Sequence, residues 1–205
     1  MKPNLIIFDL DGTLIDTLDA YFEFFNNLLE KWKIPQVTKE FYQKNLFWKN
    51  ISVEIAEIAG VDKVEEGMKI YKEEFKDYYG KIKLMKNSKE TLDELKKTFP
   101  LALLTSTVSY GAKGILKQFG MEDYFQMAVF FDDLKKPKPD PEGLLKIMEK
   151  FSAKPEETIY VGDSPSDMKA AEAAGCKFIG YGPTEKFSNH KSIQDLYELC
   201  ELVKK

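Results

Sequence analysis

Leu5-Ile6-Ile7-Phe8-Asp9-Leu10-Asp11-Gly12-Thr13 is the stretch on which the fold turns. The apolar run from Leu5 to Phe8 predicts a fully buried strand. A buried strand that ends on two carboxylates needs a chemical reason. Residues i and i+2 of an extended chain point to one side. Asp9 and Asp11 can therefore aim together past the C-terminal end of the strand, where ligands sit in open α/β sheets. Two like charges so close are unfavourable unless a cation or a proton offsets them. A plainer reading of the same residues is a strand, an Asp-Gly turn and Thr13 as a helix cap.

The chain around this stretch has 205 residues, 43% of them hydrophobic, enough for one core or for a core with a small inserted domain. A net charge of -4 leaves no basic footprint for nucleic acid. The apolar runs are short, so neither a signal peptide nor a membrane span is expected, and the protein reads as cytoplasmic. Cys176 and Cys200 lie far apart without metal-ligand spacing and read as small buried hydrophobes. All 30 basic residues are lysine, so an anion must be held by lysine, backbone N–H groups, hydroxyls or a metal. His190 is the only histidine, which excludes chemistry needing a histidine pair; it reads as a loop or helix-start residue.

After Thr13 the periodicity becomes helical: Leu18, Tyr21, Phe22, Phe25, Leu28, Leu29 and Trp32 recur at three and four residues. Ile34-Pro35 ends this helix, Thr38 caps a second through about Phe47, and Ile51 to Ala59 continues helically up to Gly60. Val61 to Tyr79 is a further helix, and no strand is expected between Asp16 and about Lys83. The pattern then alternates. Asn87-Ser88-Lys89-Glu90 reads as a capping box for a helix through Phe99. Strands are expected at Leu101–Leu104, Met127–Phe131, Thr158–Val161 and Lys177–Tyr181. Helices are expected before Gly120, after Asp140-Pro141, between Ser164-Pro165 and Gly175, and over Ile193–Val203. Alternation of this kind predicts an α/β fold: a Rossmann-like parallel sheet with helices on both faces and an inserted all-helical cap. The expected division is a discontinuous core domain of residues 1–15 and 84–205, with a cap domain of residues 16–83.

Polar groups stand at four strand ends, which a parallel sheet brings to one edge. They are Asp9, Asp11 and Thr13; Thr105 and Ser106; the run Lys135-Lys136-Pro137-Lys138-Pro139-Asp140-Pro141; and Gly162-Asp163-Ser164-Pro165-Ser166-Asp167. With these motifs in this order, nearly the whole chain resembles the haloacid dehalogenase-like superfamily of phosphatases and phosphomutases. The resemblance is to the branch with a helical cap after the first strand, which includes phosphoglycolate phosphatase-like and β-phosphoglucomutase-like enzymes. Asp9-Leu10-Asp11-Gly12-Thr13 matches the first motif and Thr105 the second. Lys136, in a Lys-Pro-x-Pro context, matches the third, and Asp163 with Asp167 the fourth.

The resemblance implies a Mg²⁺-dependent phosphatase acting on a small phosphorylated metabolite through an aspartyl-phosphate. Asp9 is then the nucleophile, and Asp11 the acid that protonates the leaving group and afterwards the base that activates water. The Mg²⁺ ligands it implies are the Asp9 carboxylate, the Asp11 backbone carbonyl and the Asp163 carboxylate. Thr105, Ser106 and Lys136 bind the phosphate. Thr13 supports the site, and Asp167 holds Lys136 or metal-bound waters while it finishes a helix cap. Trp48 and Lys49 are the candidate cap contacts to the leaving group, Trp48 being equally readable as a cap-core aromatic. A phosphomutase and a non-catalytic binding protein are the competing readings. A monomer or weak homodimer is expected, with no nucleic-acid or membrane partner.

Overall fold

The computed structural model describes residues 3–187 and 189–204, so Met1, Lys2, Ser188 and Lys205 of the expected core domain lie outside the described residues. Strand β1 (Leu5–Phe8) is fully buried, and its side chains alternate between two hydrophobic clusters. Ile6 and Phe8 join one, Leu5 and Ile7 the other. This is why the run is apolar without interruption: both faces of the strand are covered.

From β1 the chain makes a tight turn into β2 (Ile15–Asp16) and then runs through four helices. These are α1 (Leu18–Lys31), α2 (Lys39–Asn45), α3 (Ile51–Ile58) and α4 (Val64–Glu74). It returns at β3 (Lys83–Leu84), which pairs antiparallel with β2, Ile15 opposite Leu84. Between these two strands the structure is helical, as expected from Asp16 to about Lys83, and the ribbon that brackets it was not foreseen because two residues per strand are too few for a periodic signal. The helix expected over Val61–Tyr79 is α4 with tighter helical turns at Val61–Lys63 and Phe75–Lys81.

The remaining elements are α5 (Ser88–Leu95), β4 (Leu101–Leu104), α6 (Ser109–Gln118), β5 (Met127–Val129), α7 (Glu142–Phe151), β6 (Thr158–Gly162), α8 (Pro165–Ala174), β7 (Lys177–Tyr181), β8 (Lys191–Ile193) and α9 (Glu198–Lys204). The main sheet is parallel, in the order β5-β4-β1-β6-β7-β8, with β1 held between β4 and β6. Buried residues of α5, α6 and α9 cover one face and those of α7 and α8 the other. The fold is thus the expected α/β sandwich with a helical segment between its first strand and the rest.

Two expectations fail locally. Asn87 holds the N-cap position without a side-chain cap bond: it adopts φ 58, and its side-chain amide donates to the Asp195 carboxylate at 2.8 Å, so no capping box forms; the helix ends at Leu95, short of Phe99. The terminal helix begins at Glu198 because Ile193 ends β8, and the Glu198 carboxylate accepts the Gln194 and Asp195 amides at 2.9 Å. Cys176 and Cys200 are free and buried, as expected. His190 lies in the loop before β8, its Nε2 2.8 Å from Glu172. Among the described residues no helix is long and apolar enough to cross a membrane.

Candidate active site

The C-terminal ends of β1, β4 and β6 open into a cleft of about 510 Å³, floored by the acidic motifs and walled on its far side by the helical segment. Asp9 ends β1 and is 4% exposed. Beyond it the chain must turn at once. Gly12 takes φ +84, and a Cβ there would come within 2.4 Å of Asp163, so only glycine lets β1 and β6 deliver their acids side by side. Thr13 is not the helix cap of the plainer reading. It is fully buried, and its hydroxyl lies 3.2 Å from Asp163 Oδ1 and 3.4 Å from Asp9 Oδ2. Carboxylate oxygens of Asp9, Asp163 and Asp167 lie within 4.8 Å of one another.

Asp167 does two things. With Ser164 it forms a reciprocal capping box at the start of α8, its Oδ2 accepting from the Ser164 amide at 3.0 Å and hydroxyl at 2.6 Å. Its Oδ1 accepts from a lysine ammonium at 2.6 Å and from the Tyr160 hydroxyl at 2.6 Å. That lysine is Lys138, and this corrects the assignment of Lys136. Lys138 Nζ bridges Asp167 and Asp9, 2.7 Å from Asp9 Oδ1, with its side chain only 5% exposed. Lys136 is exposed, and its backbone N–H donates to the Glu142 carboxylate of α7 at 2.9 Å.

Charge balance follows this geometry. Burial would raise the Asp167 carboxyl, but Lys138 and the hydroxyls of Ser164 and Tyr160 outweigh it and hold Asp167 below the usual carboxylate range. Burial would lower the Lys138 ammonium, yet Asp167 and Asp9 push it above its ordinary value. Asp163 is less well served: burial and Asp167 push it up to about 7, and its nearest cation, Lys186, stands 3.7 Å away. Lys138 thus pairs with two of the three buried carboxylates and leaves Asp163 without a close cation, and the three together are an all-oxygen donor set suited to a hard divalent cation.

Asp11 lines the same cleft, its carboxylate set among threonine hydroxyls. Thr17 donates to Oδ1 at 2.9 Å, and Thr105 and Thr107 donate to Oδ2 at 3.2 and 2.8 Å. Burial raises its carboxyl against these three donors. The Thr105 hydroxyl therefore faces Asp11, whereas Ser106 and Thr107 line the cleft. Thr17, Thr107, Lys138 and Tyr160 were not among the residues expected from the sequence.

On the helical side, Trp48 lines the cleft, packs edge-on against Phe47, and carries the Lys186 ammonium 4.1 Å from its ring centre. Lys49 also lines the cleft, but its ammonium pairs with Glu57 at 2.6 Å. Asn50 ties this wall to the floor, donating to the Ser106 carbonyl at 2.7 Å.

A phosphorylated carbohydrates phosphatase of Thermotoga maritima is 33% identical over 196 residues, covering 92% of this chain and 88% of that protein. A phosphoglycolate phosphatase of Mannheimia succiniciproducens is 32% identical over 192 residues, covering 86% and 84%. The crystal structure of a HAD-superfamily hydrolase, subfamily IA, from Geobacter sulfurreducens superposes with a TM-score of 0.83 at 26% identity, covering 98% of this chain and 99% of that one. The family profile of the haloacid dehalogenase-like hydrolases matches residues 6–181, and the chain belongs to that family.

Proposed function

We propose that the protein is a Mg²⁺-dependent phosphatase that hydrolyses a small phosphorylated metabolite through an aspartyl-phosphate on Asp9. The observation that carries this reading is the floor itself: Asp9, Asp163 and Asp167 converge at the strand ends with Lys138 among them. Relatives named as phosphatases for phosphorylated carbohydrates and for phosphoglycolate support it.

An Asp9 oxygen attacks phosphorus, so a new P–O bond forms to Asp9 as the ester P–O bond breaks. Asp11 gives its proton to the departing alkoxide oxygen; burial favours the acid form that this requires. The Asp11 carboxylate then takes a proton from water as that water attacks phosphorus. The acyl-phosphate bond breaks, Asp9 is regenerated and inorganic phosphate leaves. Lys138 keeps positive charge beside Asp9 throughout, and the Ser106 and Thr107 end of β4 faces the phosphate oxygens. Asp9, Asp163 and the Asp11 carbonyl would hold the Mg²⁺, whose charge offsets repulsion between Asp9 and the phosphate dianion. Residues 16–83 serve as a cap that excludes water and contacts the leaving group.

The test is phosphate release from a panel of phosphomonoesters with Mg²⁺, without a bisphosphate activator, before and after chelation. Release that stops on chelation and returns with Mg²⁺ is expected. Release that survives complete metal removal contradicts the metal role, and transfer seen only with a bisphosphate present favours a mutase.

A further inference from the structure

Glu54 is the one carboxyl on the helical wall of the cleft, and the mechanism above does not use it. It lies on α3, is 2% exposed, and accepts the Tyr42 hydroxyl at 2.8 Å. Among the described residues no lysine is paired with it: Lys49, the lysine of this wall, is bound to Glu57. A buried carboxyl with a single neutral donor is costly. Burial pushes its acid up to about 8 against the bond from Tyr42. Uncharged groups able to hydrogen-bond stand on the same wall. Asn50 lines the cleft there, as do Tyr21 and Tyr71, whose hydroxyls lie 3.1 Å apart.

We infer that Glu54 is the specificity-determining residue of the cleft, hydrogen-bonding a hydroxyl of an uncharged, polyol-type leaving group. This rests on the phosphatase reading and names its substrate class. A hydroxyl both donates and accepts, so it satisfies the Glu54 carboxyl in either protonation state. A purely alkyl leaving group leaves that carboxyl buried with one bond. The cations near this wall already have partners: Lys49 is bound to Glu57, and Lys186 lies over the Trp48 ring 3.7 Å from Asp163, so a second anionic group would have to displace one of them. Sites built to hydrogen-bond a substrate hydroxyl reject analogues that lack it far more strongly than apolar pockets reject a changed methylene.

The experiment compares kcat/KM for glycerol 1-phosphate and sorbitol 6-phosphate with that for n-propyl and n-hexyl phosphate of matching chain length. It uses wild type, Glu54→Met, Glu54→Ala and Glu54→Gln, each checked by thermal melting. Wild type is expected to prefer the polyol ester by at least about tenfold. Met and Ala bring that ratio close to one, chiefly through KM, and Gln restores most of it. Should Ala fold poorly, Met, close to glutamate in volume, and Gln still decide the matter. A ratio that Met leaves unchanged, both esters falling equally, shows a merely structural Glu54 and overturns the inference. So does a wild-type preference for phosphoglycolate or phosphoethanolamine over every polyol ester. Wild type that releases phosphate from no ester at all instead overturns the phosphatase reading, and the inference with it.

Discussion

Two carboxyls, both almost fully buried, stand on opposite sides of one cleft and are treated in opposite ways. Asp167 on the floor is 1% exposed and held ionised by Lys138, Tyr160 and Ser164. Glu54 on the helical wall is 2% exposed, has Tyr42 alone as donor, and is pushed up to about 8 by burial. The surroundings of Asp167 are complete without substrate: a cap, a strand tyrosine and a lysine already offset the cost of burying its charge. Preorganisation of this kind lets a site stabilise charge without rearranging during reaction. The wall is incomplete, and an incomplete polar wall suits recognition, because the missing partner can come from the substrate.

The largest effect should come from breaking the floor. Lys138→Met leaves Asp9 and Asp167 without their shared cation and should lower kcat/KM for phosphate release by about 100-fold or more, with a loss of thermal stability. Lys136→Met, at an exposed position, should stay within about twofold. A stronger effect at Lys136 than at Lys138 would reverse the assignment of the site lysine.

A smaller effect should come from the wall, and its pH dependence has a definite sign. The Glu54 acid is raised from an ordinary 4.5 to about 8. As pH climbs above the ordinary value, the unfolded chain ionises first and gains stability relative to the native state. Glu54 therefore costs wild type stability across this window, down to a floor above the folded value, and Glu54→Gln lacks this contribution. Tyr42, Lys49, Glu57 and Asp11 are the titratable groups that act on Glu54. Melting temperatures should show the Gln variant gaining on wild type from about pH 5 to pH 8, then running parallel. A gap that stays constant over this range would mean that Glu54 does not carry the burial cost assigned to it.

The same contrast governs how much could be read from the sequence. Acids at the end of an apolar run, such as Asp9, Asp11 and Asp163, stand out because a buried strand gives no other reason for them. Asp167 was readable as a cap and is one. The site lysine was harder, because Lys-Pro-x-Pro occurs twice, overlapping: Lys136-Pro137-Lys138-Pro139 and Lys138-Pro139-Asp140-Pro141. The second copy runs directly into the Asp140-Pro141 start of α7, where Asp140 accepts the Glu142 amide at 3.0 Å. That junction was the signal that could have favoured Lys138. Tyr160 sits in a buried strand and reads as core; only the path of its hydroxyl to Asp167 gives it a second role. Glu54 is a charged residue between Val53 and Ile55 of a largely apolar helix, and its burial depends on how the helical segment packs over the sheet edge, which the sequence does not show.

The central claim is that Asp9 attacks phosphorus. The most direct measurement is to quench the enzyme during turnover of a phosphomonoester with Mg²⁺, reduce any acyl-phosphate with borohydride and sequence the labelled peptide by mass spectrometry. The mechanism predicts conversion of residue 9 to homoserine in wild type, and neither conversion nor phosphate release in Asp9→Asn. Full phosphate release by Asp9→Asn, or a trapped phosphoryl group on any other residue, would contradict it.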